Sequence, residues 1–252
     1  MMHVAVIDGG YSHEAQISFL SANTVIDNLD RSKYHVHRVR IVDSDWKFDP
    51  EGANISINKN DFSVQVDGQY IKFEFAMIVI HGTPGEDGKL QAYFDMLNIP
   101  YSTCDQLTST LTFNKFYCNR VLESYGVECA KALLLRDPSD YTDQEVIEQL
   151  GLPCFVKPND GGSSFGAARV NDANSLRTAI NSAFEHGEQV IIEEFMAGTE
   201  VTNGVYHNGS EVYPLPITEI VTENEFFDFE AKGKGRKFHF NLKSITNKFY
   251  FI

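Results

Sequence analysis

His3-Val4-Ala5-Val6-Ile7-Asp8-Gly9-Gly10-Tyr11-Ser12-His13-Glu14 decides how the front of this chain folds. The unbroken apolar run Val4 to Ile7 is the pattern of a strand covered on both faces, which is the habit of parallel sheets. Gly9-Gly10 then supplies a tight turn into a helix that Ser12 can cap, with Ala15, Phe19, Ala22 and Ile26 along one face. A strand, a glycine turn and a helix in that order predict an open α/β sheet.

Outward from this stretch the same grammar repeats. A second strand is expected near His35 to Val42, and a hairpin turns at Asp67-Gly68 between Ser63-Val64-Gln65-Val66 and Gln69-Tyr70-Ile71. Ala76 to Ile80 reads as another buried strand ending at His81. In such sheets ligand groups gather where strands end, so residues 8–14 and 81–88 are the places to look. From Asp105 to Tyr125 the pattern is helical. Ala130 to Leu135, Cys154 to Lys157, Ala167 to Val170 and Val190 to Glu194 are short apolar strands of a second α/β unit. Asp172 can cap the helix Ala173 to Phe184, with Gly187 as its stop. A last hairpin pairs Glu200 to Tyr206 with Val212 to Ile220 across Asn208-Gly209.

The formal net charge is −14, which argues against DNA or an acidic membrane surface as partner, because no excess of Lys and Arg exists to displace counterions. Any phosphate site must be local. The four cysteines, Cys104, Cys118, Cys129 and Cys154, form no CxxC pair and have no histidine at zinc spacing. No apolar stretch approaches membrane-spanning length, and the expected setting is the cytoplasm.

Lys157-Pro158-Asn159-Asp160-Gly161-Gly162-Ser163-Ser164-Phe165-Gly166 lies between two strands. Its glycines can aim successive N–H groups at an anion and its hydroxyls add donors, although a plain hairpin turn has the same composition. Val190-Ile191-Ile192-Glu193-Glu194-Phe195-Met196-Ala197-Gly198-Thr199-Glu200 is a buried strand ending in carboxylates and an apolar pair. Backbone groups there could read the edge of a flat heterocycle, with Glu200 in reach of ribose hydroxyls; a strand leaving the core into a charged turn is the plainer alternative. Glu14 stands at the start of the first helix, where a carboxylate also favours the helix dipole. His81-Gly82-Thr83-Pro84-Gly85-Glu86-Asp87-Gly88 packs an imidazole, two carboxylates and three glycines into one loop, a density more often functional than structural.

GGYSHE (9–14), HGTPGEDG (81–88), LPCFVKPNDGGSSFG (152–166), VIIEEFMAGTEVTNGV (190–205) and LPITEIVTENEFFDFEAK (215–232) together resemble D-alanine:D-alanine ligases, in order and at compatible spacing. The resemblance implies an N-terminal α/β domain (1–100), then an ATP-grasp fold with a central subdomain (101–188) and a C-terminal subdomain that is incomplete (189–252). It implies ATP and magnesium as cofactors, D-alanine as substrate and a homodimer as the assembly. Lys115 and Lys157 match the family's phosphate-contacting lysines, and Ser163 and Ser164 its lid. Glu193, Glu194 and Met196 match its adenine hinge, and Glu200 its ribose ligand. Glu14 matches the anchor for the first D-alanine's ammonium, His81 an imidazole near that substrate, and Lys232 a mobile-loop lysine. Glu14, Ser163 and Lys232 are thereby the catalytic set.

The departures from the family lie at the end. Where the family usually has a closing tyrosine, this chain has Gly233, and the Arg-x-Asp and Glu-x-Asn patterns that bind two magnesium ions occur nowhere in the sequence. No metal ligand is therefore assigned. Residues 232–252 carry Lys232, Lys234, Arg236, Lys237, Lys243 and Lys248 without one Asp or Glu. Such a tail reads as a frame-shifted or truncated end, with an ordinary basic strand as the alternative, and the chain as written is expected to be inactive. A non-catalytic short form that binds ATP or D-alanine is the competing expectation.

Overall fold

The structure is a computed structural model that describes residues 1–12, 14–162 and 165–219. The chain forms two compact units that meet between Cys118 and Asn119.

In the first unit the elements run β1 (Met2–Gly9), α1 (Ala15–Asn28), β2 (Tyr34–Val42), β3 (Asp45–Phe48), β4 (Ile55–Ser56), β5 (Ser63–Val66), β6 (Gln69–Lys72), β7 (Phe75–Ile78), α2 (Lys89–Leu97) and α3 (Gln106–Phe113). A helix α4 (Lys115–Ser124) spans the division. The main sheet has the order β4-β3-β2-β1-β7, with β1 parallel to both β2 and β7 and with β3 and β4 added antiparallel at one edge. Because β1 is paired on both sides and covered on both faces, Ala5, Val6 and Ile7 are fully buried. Below the sheet Phe62, Phe73 and Phe94 close the core, Phe62 meeting Phe94 edge to face at 4.9 Å.

The turn after β1 is fixed by sterics and by one hydroxyl. A side chain on Gly9, whose φ is +100°, would sit 2.2 Å from the carbonyl oxygen of Ile41, so only glycine passes there. Ser18 of α1, fully buried, accepts from Gly9 N–H at 3.0 Å and donates to the carbonyl of Val79 at 2.8 Å. Ser12 does not cap α1 as expected: Glu14 occupies the N-cap position, and the Ser12 hydroxyl instead accepts from Glu14 N–H at 3.2 Å. Two glycines leave β1 in an open turn, so the helix begins two residues later than the sequence suggests.

At the end of β1, Asp8 is fully buried and accepts from Arg38 Nε at 2.7 Å and Arg40 Nε at 2.9 Å, and exposed Glu51 bridges the same two guanidinium groups. The side-chain hydrogen bond to Asp8 raises the pKa of Arg40 further. A buried carboxylate is tolerable here because its charge is matched twice over.

The second unit contains β8 (Ala132–Leu135), α5 (Asp143–Leu150), β9 (Cys154–Pro158), β10 (Ala168–Val170), α6 (Ala173–Phe184), β11 (Val190–Glu194), β12 (Val201–Thr202), β13 (Val205–His207), β14 (Val212–Pro214) and β15 (Thr218–Glu219). Its sheet has the order β10-β9-β11-β8, antiparallel throughout. Strand alternation gives it two unlike faces. Cys154, Val156, Val170, Val190 and Ile192 pack on Leu176, Ile180 and Ala183 of α6 and on Val146 of α5. Phe155, Lys157, Arg169, Ile191 and Glu193 belong to the other face. Asp172 caps α6 by accepting from Asn174 and Ser175 N–H groups, as its sequence position predicts. The final hairpin is split into an inner pair, β13 with β14, and an outer pair, β12 with β15.

Two expected boundaries move. Residues past 100 still belong to the first sheet, since Tyr101 bridges Ala76 and Ser102 Oγ accepts from Ile78 N–H at 3.0 Å. β11, expected to open a third subdomain at 189, is instead an interior strand of the central sheet, held between β8 and β9. The helical stretch Asp105 to Tyr125 is also interrupted, at the extended residue Asn114. The expected tail 233–252 lies outside the described residues. Among the described residues no helix is long and apolar enough to cross a membrane.

One titratable cluster sits at the start of the first sheet. His3 Nδ1 and His37 Nε2 are 2.9 Å apart with their rings nearly coplanar, and His35 stacks on His3 at 4.8 Å. Burial, and then the neighbouring His3, His35 and Arg31 charges, push His37 down to about 4, while Glu74 lies beside His3. A histidine depressed in the fold binds its proton more readily when unfolded, so its contribution is complete above pH 6.5 and is lost as pH falls toward 4. The native thermal midpoint is expected to drop between pH 7 and pH 5 by about 4 °C more than that of His37→Asn, the scale of roughly 1 kcal/mol in a unit of this size. Parallel melting curves for the two proteins across that range would count against the assignment.

Candidate active site

In the first unit, chemistry collects where β1 and β7 end side by side. Ser12 Oγ donates to the carbonyl of His81 at 3.0 Å while accepting from Glu14 N–H, so one hydroxyl ties the two sequence-predicted residues' segments together. Gly82 has φ +74°, and a Cβ there would lie 3.0 Å from Ser12 Oγ and 3.6 Å from Glu14 Oε2. Glycine is therefore favoured there by the left-handed backbone and by the close approach of Ser12, with the Glu14 carboxylate in ordinary contact distance beyond it. Glu86 fixes that loop from below, its Oε2 accepting from Gly82 N–H at 2.7 Å. The His81 ring, half-buried, meets Ser21 of α1 through Nε2 at 3.2 Å.

Sequence reasoning singled out Glu14 and His81 but not Ser12 as a bridge, nor Ser18, Ser21 and Glu86 as supports. A signal existed: Ser18 and Ser21 are hydroxyls three residues apart on the inward stripe of α1 among Ala15, Phe19 and Ala22, where an apolar residue is expected.

In the second unit the sheet face turned away from α5 and α6 holds the other group. β9 and β11 are registered with Lys157 opposite Ile191, which sets Lys157 diagonal to Glu193. Their side chains meet at 2.6 Å, Lys157 16% and Glu193 3% exposed. The second Glu193 oxygen accepts from Asn119 Nδ2 at 3.1 Å, and Asn119 is itself buried. Glu194 turns to the strand edge, where its carboxylate accepts Lys131 N–H at 2.8 Å and its own N–H donates to Lys131 O at 2.9 Å. Both carboxylates are thus engaged by groups of the protein, Glu193 in the interior and Glu194 at the surface.

Beyond β11, Phe195 stacks on Phe155 at 6.2 Å and lies under the guanidinium of Arg169 at 4.8 Å. Arg169 Nε is buried with no hydrogen-bond partner among the described residues. Half-buried Met196 follows, and Glu200 is exposed. An aromatic ring under a guanidinium plane, an apolar thioether and an exposed carboxylate thus border the end of β11. Lys115 is half-buried and opens α4 in the first unit. Ser163, Ser164 and Lys232 lie outside the described residues. Among the described residues no three His, Cys, Asp or Glu side chains gather as a metal-binding group.

The overall fold resembles that of D-alanyl-alanine synthetase A from Vibrio cholerae O1 biovar eltor str. N16961, with a TM-score of 0.84 and 26% identity over 98% of this chain and 76% of that one. A D-alanine–D-alanine ligase from Bacillus anthracis complexed with ATP aligns with a TM-score of 0.68 and 30% identity over 87% of this chain and 67% of that one. The chain is accordingly a ligase with the ATP-grasp fold. Family models described as D-ala D-ala ligase N-terminus and D-ala D-ala ligase C-terminus match residues 3–104 and 121–248. A D-alanine–D-alanine ligase of Azobacteroides pseudotrichonymphae genomovar. CFP2 is 49% identical over 236 residues, 92% of this chain and 72% of that protein. The chain belongs to the D-alanine–D-alanine ligase family and spans about 72% of the length of that relative.

The buried pair gives a direct test. Lys157→Ala strands the Glu193 carboxylate away from water, and removing one partner of a buried ion pair costs about 3–5 kcal/mol. Urea unfolding is expected to show a loss of that order, partly recovered in Lys157→Ala combined with Glu193→Gln. A single-variant loss under about 1 kcal/mol would mean that the pair is hydrated.

Proposed function

We propose that this chain carries the ATP and first-substrate sites of an enzyme that joins two D-alanines for peptidoglycan. The observation that carries the reading is the Glu14 carboxylate held against the glycine of the His81 loop. An amino acid needs an anion for its ammonium and a donor for its carboxylate, and that corner offers both. In this reading the D-alanine carboxylate attacks the terminal phosphate of ATP, ADP departs, and the amine of a second D-alanine displaces phosphate from the acyl phosphate.

The chain's own residues bind and orient. Glu14 holds the ammonium and His81 faces the substrate. Lys115 and Lys157 offset phosphate charge, as Lys232 does at the terminal phosphate. Ser163 and Ser164 close over the phosphates and exclude water. Glu193 holds Lys157 in place, Glu194 squares the hinge, Met196 covers the base, and Glu200 takes the ribose. Magnesium supplies charge neutralisation in such reactions. The described residues gather no group of side chains that fits it. The proposed setting is the cytoplasm and the proposed assembly a homodimer.

The absent Arg-x-Asp and Glu-x-Asn patterns favour slow turnover by the 252-residue chain itself. The same absence favours, as second reading, a form that binds ATP or D-alanine without ligating. Calorimetric titration tests what the two readings share, and phosphate release separates them. ATP and D-alanine are each expected to bind, with Glu14→Gln weakening D-alanine by roughly 10- to 100-fold, the worth of one charge-assisted hydrogen bond, and leaving ATP unchanged. Failure of ATP to bind sinks both readings. Phosphate release at the rate of a full-length relative sinks the expectation of slow turnover.

A further inference from the structure

We propose that Gln91 is a positioning residue for the first-substrate corner: its buried side-chain amide holds the Gly85 carbonyl, and through it the Gly82 turn that stands against Ser12. This deepens the proposed D-alanine site and rests on that reading only where the substrate is invoked.

Gln91 lies in the first turn of α2 and is fully buried. Its Nε2 donates to the carbonyl of Gly85 at 2.7 Å and to Thr103 Oγ1 at 2.9 Å. Chemistry fixes the direction of both bonds. A backbone carbonyl can only accept, and the Thr103 hydroxyl hydrogen is already placed on the carbonyl of Cys104 at 3.1 Å. The two hydrogens of one amide nitrogen therefore meet two acceptors, and turning the amide over would set Oε1 against two oxygens. Oε1 itself is buried with no hydrogen-bond partner among the described residues, so Gln91 engages its surroundings through its donors alone. A buried glutamine with its acceptor unmet is costly. What it secures is the Gly85 carbonyl, to which no other described residue donates.

Gly85 is wedged between that amide and Ile80, since a Cβ on it would lie 2.6 Å from Ile80 Cβ and 2.7 Å from the Ile80 carbonyl oxygen. The hold on Gly85 passes along the turn. The Gly85 and Glu86 N–H groups both donate to the carbonyl of Gly82 at 2.9 Å, and Glu86 Oε2 accepts from Gly82 N–H at 2.7 Å. Gly82 in turn approaches Ser12, whose hydroxyl accepts from Glu14 N–H. Glu86 is exposed, so water competes for its bond, whereas the Gln91 amide is closed to solvent and its bonds are the lasting ones. The buried amide is thus the inner anchor of the backbone on which Ser12 and the Glu14 segment are seated.

Hydrogen exchange in the 252-residue protein tests this without need of turnover. In the native protein the two side-chain N–H signals of Gln91 and the backbone amides of Gly82 and Gly85 are expected to exchange slowly. Gln91→Met keeps the length of the side chain and removes both donors. It should quicken exchange at Gly82 and Gly85 by roughly tenfold or more while leaving the amides of β1 and β11 at native rates. D-alanine affinity is expected to fall about tenfold, the scale of one buried hydrogen bond, with ATP affinity unmoved. Thr103→Val spares the Gly85 bond and should stay close to native in both measurements. Native Gln91 N–H signals that exchange as freely as an exposed amide overturn the proposal, a result that needs no variant to fold. Native protection at Gly82 and Gly85 in Gln91→Met, or a Thr103→Val protein as damaged as Gln91→Met, overturns it too. So does a loosened turn that binds D-alanine with native affinity. If the native protein binds no D-alanine at all, the reading of the site fails, and the exchange rates alone decide whether Gln91 holds the turn.

Discussion

The geometry of the front unit depends on one buried hydroxyl. Ser18 accepts from the last N–H of β1 and donates to the carbonyl just past β7, so a helix and two neighbouring parallel strands share a single junction. Parallel strands have no hairpin to hold their ends in step, and their loops must be registered by something else. Here that something is a side chain on the crossover helix. Gly9 makes the junction possible by giving the chain room under Ile41, and Ser12 extends it one layer outward to Glu14 and His81. Remove the junction and the two loops keep their sequences but lose their common frame.

The second unit solves a different problem, that of keeping a cation in an interior. An antiparallel sheet with unlike faces gives its apolar side to α5 and α6 and reserves the other for charge. Lys157 is paired there with Glu193, whose second oxygen accepts from Asn119. The three residues come from three separate segments, so the site's electrostatics exist only once the unit has folded. Phe155, Phe195 and Arg169 stack at the border of this face, where the sheet ends and solvent begins.

Much of this was legible in the chain. The apolar run Val4 to Ile7, the Asp67-Gly68 turn and the capping Asp172 act through local chemistry, and each appears where the pattern puts it. Glu14 and His81 stand out because loops rich in glycine and charge are rarely idle. What stayed hidden is long-range. Ser21 and Asn119 look like ordinary helical residues until the tertiary fold brings His81 and Glu193 to them. The Glu193 carboxylate meets Lys157 because pairing across β9 places the two diagonally opposite, and no local pattern carries a register. The edge strands β3 and β4, the break at Asn114 and the place of β11 inside the central sheet are also choices made by packing.

The arginines around Asp8 have one more consequence. The chain carries 35 acidic residues against 21 Lys and Arg, and two of those cations are turned inward onto Asp8 and Glu51 while Lys157 is turned onto Glu193. These three cations and their three carboxylates cancel, so the rest of the chain carries the whole formal net charge of −14. A nucleotide approaching it meets repulsion first and attraction only within the range of a few local groups. Dissolved salt shortens the reach of both fields, but the long-range one suffers most. Encounter with a polyphosphate should accordingly quicken with moderate ionic strength, the reverse of what a protein with a basic funnel would do.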